Sequence, residues 1–172
     1  MQPVKIDKKK FFPHPSYDFS KDSVQEFVDL GYFPVWLCIF DHWLSAEEAE
    51  TPLMFYRLAR EHGMLEEYMV GERKFLSFYH ALAKDGVYIA QGGKVFQADA
   101  DDPDFRKVVR TSLREKKAGD LMDVYFIGPA LRVLGGFDRT DLLLLRSRDG
   151  LPALYTMAEQ HGLHLLRKEK YE

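Results

Sequence analysis

Apolar residues along the chain switch between two periods, and the switches outline the elements. Residues 123–146 hold three short apolar runs, separated by Gly128-Pro129 and by the polar patch Asp138-Arg139-Thr140-Asp141. That pattern predicts a three-stranded antiparallel meander at the centre of the fold. Residues 87–91 and 94–97 are apolar, β-favouring runs on either side of Gly92-Gly93. Two glycines accept the positive φ of a tight turn, so a hairpin is expected there. Residues 32–40 are almost continuously apolar, which predicts a buried strand; Pro34 either confines it to an edge or marks its start.

Elsewhere the spacing becomes helical. Ser20 is a good N-cap, Phe19 can staple onto Val24, and Val24, Phe27 and Val28 share a face that ends at Gly31. Ser45 and Glu48 form a capping box, while Thr51-Pro52 is a second helix start. The stretch is therefore one kinked helix or two short ones, ending at Gly63. Phe75, Phe78, Tyr79 and Leu82 predict a helix over residues 72–84. Asp102-Pro103 opens another, to about Lys117, with Phe105, Val108, Val109 and Leu113 inward. Leu151, Leu154, Tyr155 and Ala158 mark a last helix, stopped by Gly162, after which residues 163–166 read as an edge strand. Residues 1–19 form a partly ordered arm, broken by Pro3, Pro13 and Pro15 and pinned by Phe11, Phe12 and Tyr17. Residues 20–172 form a single α+β domain: a mostly antiparallel sheet, hairpin 87–97 plus meander 123–146, packed by about five helices.

Composition adds limits. A chain of 172 residues can bury one core. Its net charge of −3 makes no demand for nucleic acid or an anionic membrane as partner. Thirteen Phe and nine Tyr supply either a ring-rich core or an aromatic partner surface. The lone cysteine, Cys38, can form no intrachain disulfide and reads as a small buried hydrophobe. Lys5, Lys8, Lys9 and Lys10 are followed by Phe11-Phe12-Pro13 rather than by the apolar core of a secretion signal. A cytoplasmic, non-membrane protein is the expectation.

Within the meander and after it, Val124-Tyr-Phe-Ile127, then Phe137-Asp138-Arg139-Thr140-Asp141 and its leucines, then Leu151 and Leu154-Tyr155, form a set. This set resembles the C-terminal part of an uncharacterised bacterial family with a V-Y-F-I strand, a Y-D-D-R-G-x-D strand motif and an L-x-x-x-Y helix. The first Tyr-Asp of that motif is Gly136-Phe137 here, and its Gly is Thr140. The resemblance covers about the last third of the chain. It implies a topology and a bacterial origin, and no chemistry.

Candidate chemistry is thin. Asp138, Arg139 and Asp141 could bind a metal, clamp a phosphate or hold a partner's charge; the plainer reading is a surface turn. Asp41-His42 follows the buried strand, where an acid–base pair could sit. Asp99, Asp101, Asp102 and Asp104 hint at calcium, but Asp104 and Arg110 stand where an EF-hand needs Gly and Glu. His161 and His164 have metal-like spacing across a helix-breaking Gly162, and Ser77 lacks a nucleophile elbow. Neither Gly92-Gly93 nor Gly135-Gly136 matches a phosphate or dinucleotide loop, so no metal and no cofactor is expected. Arg106, Lys107, Arg110 and Arg114, with Lys116 and Lys117, make the helix over 106–117 the most basic surface. The reading that follows is a non-enzymatic bacterial protein-binding module, immunity-like or a regulatory adaptor, whose partner is another protein. The alternatives are a small hydrolytic enzyme using Asp41 and His42 or the 138–141 loop, and a nucleic-acid binder using the basic helix.

Overall fold

The computed structural model describes residues 1–13, 24–114 and 120–171. The Ser20 cap, the Phe19 staple, Tyr17 and the helix end at Lys116 and Lys117 lie outside them. Eight strands form one antiparallel sheet: β1 (Gln2–Pro3), β2 (Phe33–Cys38), β3 (Val87–Gln91), β4 (Lys94–Ala98), β5 (Asp123–Phe126), β6 (Leu131–Leu134), β7 (Thr140–Leu145) and β8 (His164–Leu166). Their spatial order is β1-β4-β3-β5-β6-β7-β2-β8. The hairpin and the meander are therefore neighbours in one sheet, joined where β3 pairs with β5. The helices are α1 (Lys8–Phe11), α2 (Val24–Asp29), α3 (Ala46–Ala49), α4 (Tyr56–Glu61), α5 (Leu65–Leu82), α6 (Pro103–Leu113) and α7 (Leu151–Gln160). Among the described residues these are seven where about five were expected. The extra ones are the single turn α1 and the split of residues 46–61 at Pro52.

The leucine run of β7 explains why this sheet does not follow simple alternation. Leu143 and Leu145 join Val35, Leu37, Val133, Val124 and Phe126 on one face, under α5, α6 and α7. Leu142 and Leu144 join Trp36, Cys38 and Leu134 on the other, under Val24 and Phe27 of α2 and under Tyr171. A strand buried on both faces needs apolar side chains at every position. β2, the partner of β7 over six residue pairs, is likewise buried throughout. Pro34 is accommodated because β8 pairs with β2 only from Trp36 to Cys38, leaving one side of β2 open at Pro34. Pro3 does not prevent regular structure either: it sits on the outermost strand, β1, against Phe96. Phe11 packs edge-on against Tyr88 and Tyr125, which holds the N-terminal segment on the second face.

The helix expected from residue 72 begins seven residues earlier, at Leu65. Gly71 lies inside it. A Cβ at Gly71 would meet the guanidinium of Arg139 at 2.4 Å and Ile39 at 2.6 Å, so the glycine admits a packed arginine. The junction of β6 and β7 is as tight: a Cβ at Gly136 would lie 1.8 Å from the carbonyl oxygen of Thr140. Backbone cannot yield as a flexible side chain can. Gly136→Ala is expected to destabilise the fold by about 3 kcal/mol or more in urea unfolding. Gly150→Ala, where nothing lies within 4 Å and φ is −77°, should stay within about 0.5 kcal/mol of the parent.

Candidate functional site

The 138–141 patch folds inward, and this corrects its reading as a surface turn. Asp138 and Arg139 take left-handed φ values of 54° and 55° and form a two-residue turn closed by the bond from Thr140 N–H to Phe137 O. Arg139 is 4% exposed: its guanidinium donates to the Tyr68 carbonyl at 2.6 Å and stacks 3.9 Å from the Tyr68 ring. Asp141 is buried and accepts from the Tyr79 hydroxyl at 2.5 Å and from Gly136 N–H at 2.9 Å. Tyr68 and Tyr79 are eleven residues apart on α5, about 16 Å along its axis. Arg139 and Asp141 therefore brace one helix at two places and do not share a site with Asp138.

Burial pushes the Asp141 carboxyl up to about 6, against the pull of its two hydrogen bonds; the same burial and the neighbouring carboxylate hold Tyr79 well above its ordinary 10. The sign for stability follows. Between about pH 4 and pH 6 the folded chain holds the Asp141 proton that the unfolded chain releases. Stability falls as pH rises through that window and then levels off.

Asp41 and His42 do meet, on the surface. His42 Nδ1 lies 2.7 Å from Asp41, and its Nε2 lies 3.0 Å from Glu48. Glu48 is also the capping-box residue of α3, accepting Ser45 N–H at 2.8 Å. Carboxylates on both ring nitrogens favour the imidazolium, whose pKa is raised, first by Asp41 and then by Glu48. A ring that donates from both nitrogens has no lone pair for a base to use. Cys38, as expected, is buried, with its sulfur 3.5 Å from Thr140 Oγ1.

The basic helix is divided. Arg114 clamps Glu72 through two bonds, of 2.7 and 3.1 Å, and Arg110 Nε lies 3.2 Å from the same carboxylate. Glu72 is 1% exposed, and Arg114 also covers the Tyr56 ring at 4.3 Å. These two arginines tie α6 to α5, while Arg106 and Lys107 stay exposed. Asp102 caps α6 through the Asp104 N–H, the ordinary use of an acidic helix start. Among the described residues no three His, Cys, Asp or Glu side chains gather as a metal site.

The strongest surface feature lies where the sequence suggested nothing. Because β2 runs against both β7 and β8, Phe33 sits beside Leu145 and Trp36 beside Leu166. The chain leaves β7 through Arg146 and Arg148, and leaves β8 through Arg167, Lys168 and Lys170. Each of these five cations lies over a ring. Arg146 is 3.9 Å from the Tyr32 ring and Arg148 is 4.2 Å from Phe33, with Arg167 at 5.4 Å. Lys168 sits between Trp36 and Trp43, at 5.0 and 5.1 Å, and Lys170 is 4.7 Å from Tyr171. Tyr32, Phe33, Arg146, Arg148 and Lys170 line a cavity of about 380 Å³. The Tyr32 hydroxyl is buried and, among the described residues, makes no hydrogen bond. Among the described residues Arg146, Arg148 and Lys168 form no ion pair, and the nearby carboxylates of Asp29 and Asp149 are held by Gln25 and Ser147. The sequence signal was the spacing of bases just past two strand ends, legible only once those strands are known to adjoin.

Two pH measurements test this account. Asp141→Asn should remove a contribution that weakens the fold by on the order of 2 kcal/mol as pH rises from about 4 to 6, read as the difference between the pH–stability profiles of variant and parent. In NMR titration the His42 ring should show a midpoint above 6.5. Glu48→Gln or about 0.5 M salt should bring it down, because the group is exposed and its pairing is screened. No protein-family model, curated protein or solved structure matches the chain.

Proposed function

We propose that the protein is a non-enzymatic binding module that docks an acidic surface of another protein on the cation-lined end of its sheet. The carrying observation is that Arg146 and Arg148 line one cavity, and that these two and Lys168, from the chain just past β8, are each stacked on a ring and, among the described residues, unmatched by a carboxylate. In a chain of net charge −3 such a cluster is local, so it steers an acidic partner to one place. Stacking each cation on a ring fixes it in position at a cost in side-chain freedom met before binding, which favours affinity. The half-exposed Trp43 beside this group supplies an apolar anchor of the kind that dominates protein interfaces.

The same basic and aromatic residues invite comparison with single-strand nucleic-acid sites, which need ring faces open for base stacking. Here Tyr32, Phe33, Trp36 and Tyr171 are all less than 9% exposed, and cations lie over them. The arrangement suits carboxylates that meet the cations from outside. The enzyme alternative draws less support: Asp141 and Arg139 brace α5, and both His42 nitrogens are occupied.

A matched pair of probes tests the reading. Poly-L-glutamate should bind with an affinity that falls as salt rises. The double variant Arg148→Glu/Lys168→Glu, at exposed positions, should weaken it by about tenfold or more. Arg106→Glu/Lys107→Glu should leave it unchanged. Tighter binding of single-stranded DNA than of polyglutamate, or equal binding by both double variants, would refute the proposal.

A further inference from the structure

A second concavity lies away from this end of the sheet, between α5 and α6. On α5, residues 73, 76, 77 and 80 follow i, i+3, i+4 and i+7 spacing and form one stripe. On α6, Phe105, Arg106 and Val109 form the facing stripe. The two enclose a cavity of about 270 Å³, near the lower end of the ~300–1,000 Å³ range of small-molecule sites. Ser77 and Ala100, both small, line it and leave the space that larger side chains would fill. Leu76, Phe105 and Val109 give it an apolar floor, Arg73 and Arg106 a cationic rim, and His80 borders it.

The floor is rigid. Tyr79, which also lines the cavity, turns its hydroxyl away to Asp141 and stacks its ring on Phe126 at 5.8 Å and 20°. The rim differs in kind from the rest of α6. Arg110 and Arg114 are paired with the buried Glu72. Among the described residues Arg73 and Arg106 have no ion-pair partner. The carboxylate of Asp101 is taken up by His80, at 2.9 Å. Two guanidinium groups above an apolar floor match one ligand chemistry: an anionic head joined to a hydrocarbon body.

We infer that the cavity between α5 and α6 binds a small amphipathic anion, with its carboxylate or phosphate head between Arg73 and Arg106 and its apolar body against Leu76, Phe105 and Val109. The site is separate from the protein-docking surface and stands without it. The two heads share the same contacts with the guanidinium groups, and the body supplies the buried area. His80, held by Asp101, bounds the rim.

The full chain, labelled with nitrogen-15, is titrated by NMR with octanoate, octyl phosphate and octanol in turn. At least one of the two anions should shift the amides of residues 73–80 and 100–109 in a saturable way. The stronger of the two identifies the head group. Octanol should bind at least about tenfold more weakly, because it lacks the charge. Arg73→Gln and Arg106→Gln should each weaken the anion by about tenfold, and Ser77→Leu, which keeps every charge, should abolish binding by filling the space. Ser77 is exposed, so that variant retains the fold, which an unchanged thermal midpoint verifies. Shifts centred elsewhere, equal binding of octanol and the anions, or full binding by Ser77→Leu would each overturn the inference. Arg148→Glu/Lys168→Glu should leave this titration unchanged, so failure here and failure of the docking proposal are read separately.

Discussion

The pairing of β2 with β7 is the contact on which the rest of the molecule depends. Six residue pairs join them, and both strands are buried on both faces at nearly every position. Side chains from this pair enter both apolar clusters: Val35, Leu37, Leu143 and Leu145 one, Trp36, Cys38, Leu142 and Leu144 the other. Burial of this kind is the main favourable contribution to folding, and here two strands deliver it to two layers at once. The pairing is also long-range in sequence, so its closure brings together segments more than a hundred residues apart.

That closure sets where polar groups can go. Asp141 is the β7 residue at which the first face stops being apolar, and Tyr79 meets it from α5. Arg139 enters α5 where Gly71 leaves room for it. Glu72, one residue on, anchors α6 through Arg110 and Arg114. On the opposite face Arg132 is fully buried, clasps Asp123 through two bonds of 2.8 Å, and lies over Phe12 and Phe27. Buried charges of this sort are costly unless paired, and each one here has a partner with two-point geometry or a ring. They fix how helices register on the sheet more than they add stability.

The same geometry leaves two kinds of surface. At the end of the sheet where β7 and β8 both finish, cations are gathered from two separate chain segments and held on rings. Between α5 and α6, small side chains leave an apolar hollow under two guanidinium groups. Neither depends on a catalytic constellation. Asp141 and Tyr79, both raised by burial, serve the core.

The sequence by itself determined the local elements, and it did so where period and punctuation agree. Gly92-Gly93, with φ of 56° and 75°, turns the hairpin; the Ser45–Glu48 capping box forms in full; Gly31, Gly63 and Gly162 end helices in left-handed geometry. The antiparallel α+β class follows from these. Only the tertiary structure decided which polar residues are buried, because burial depends on partners remote in sequence. Glu72 in Gly-Glu-Arg-Lys reads as a solvated helix position until Arg114 arrives 42 residues later. Arg139 reads as turn surface until Tyr68 and Gly71 are placed above it. The cationic end of the sheet was illegible for the same reason: Arg146, Arg148 and Lys170 line one cavity only when β2 inserts between β7 and β8, and nothing local in the chain specifies that order.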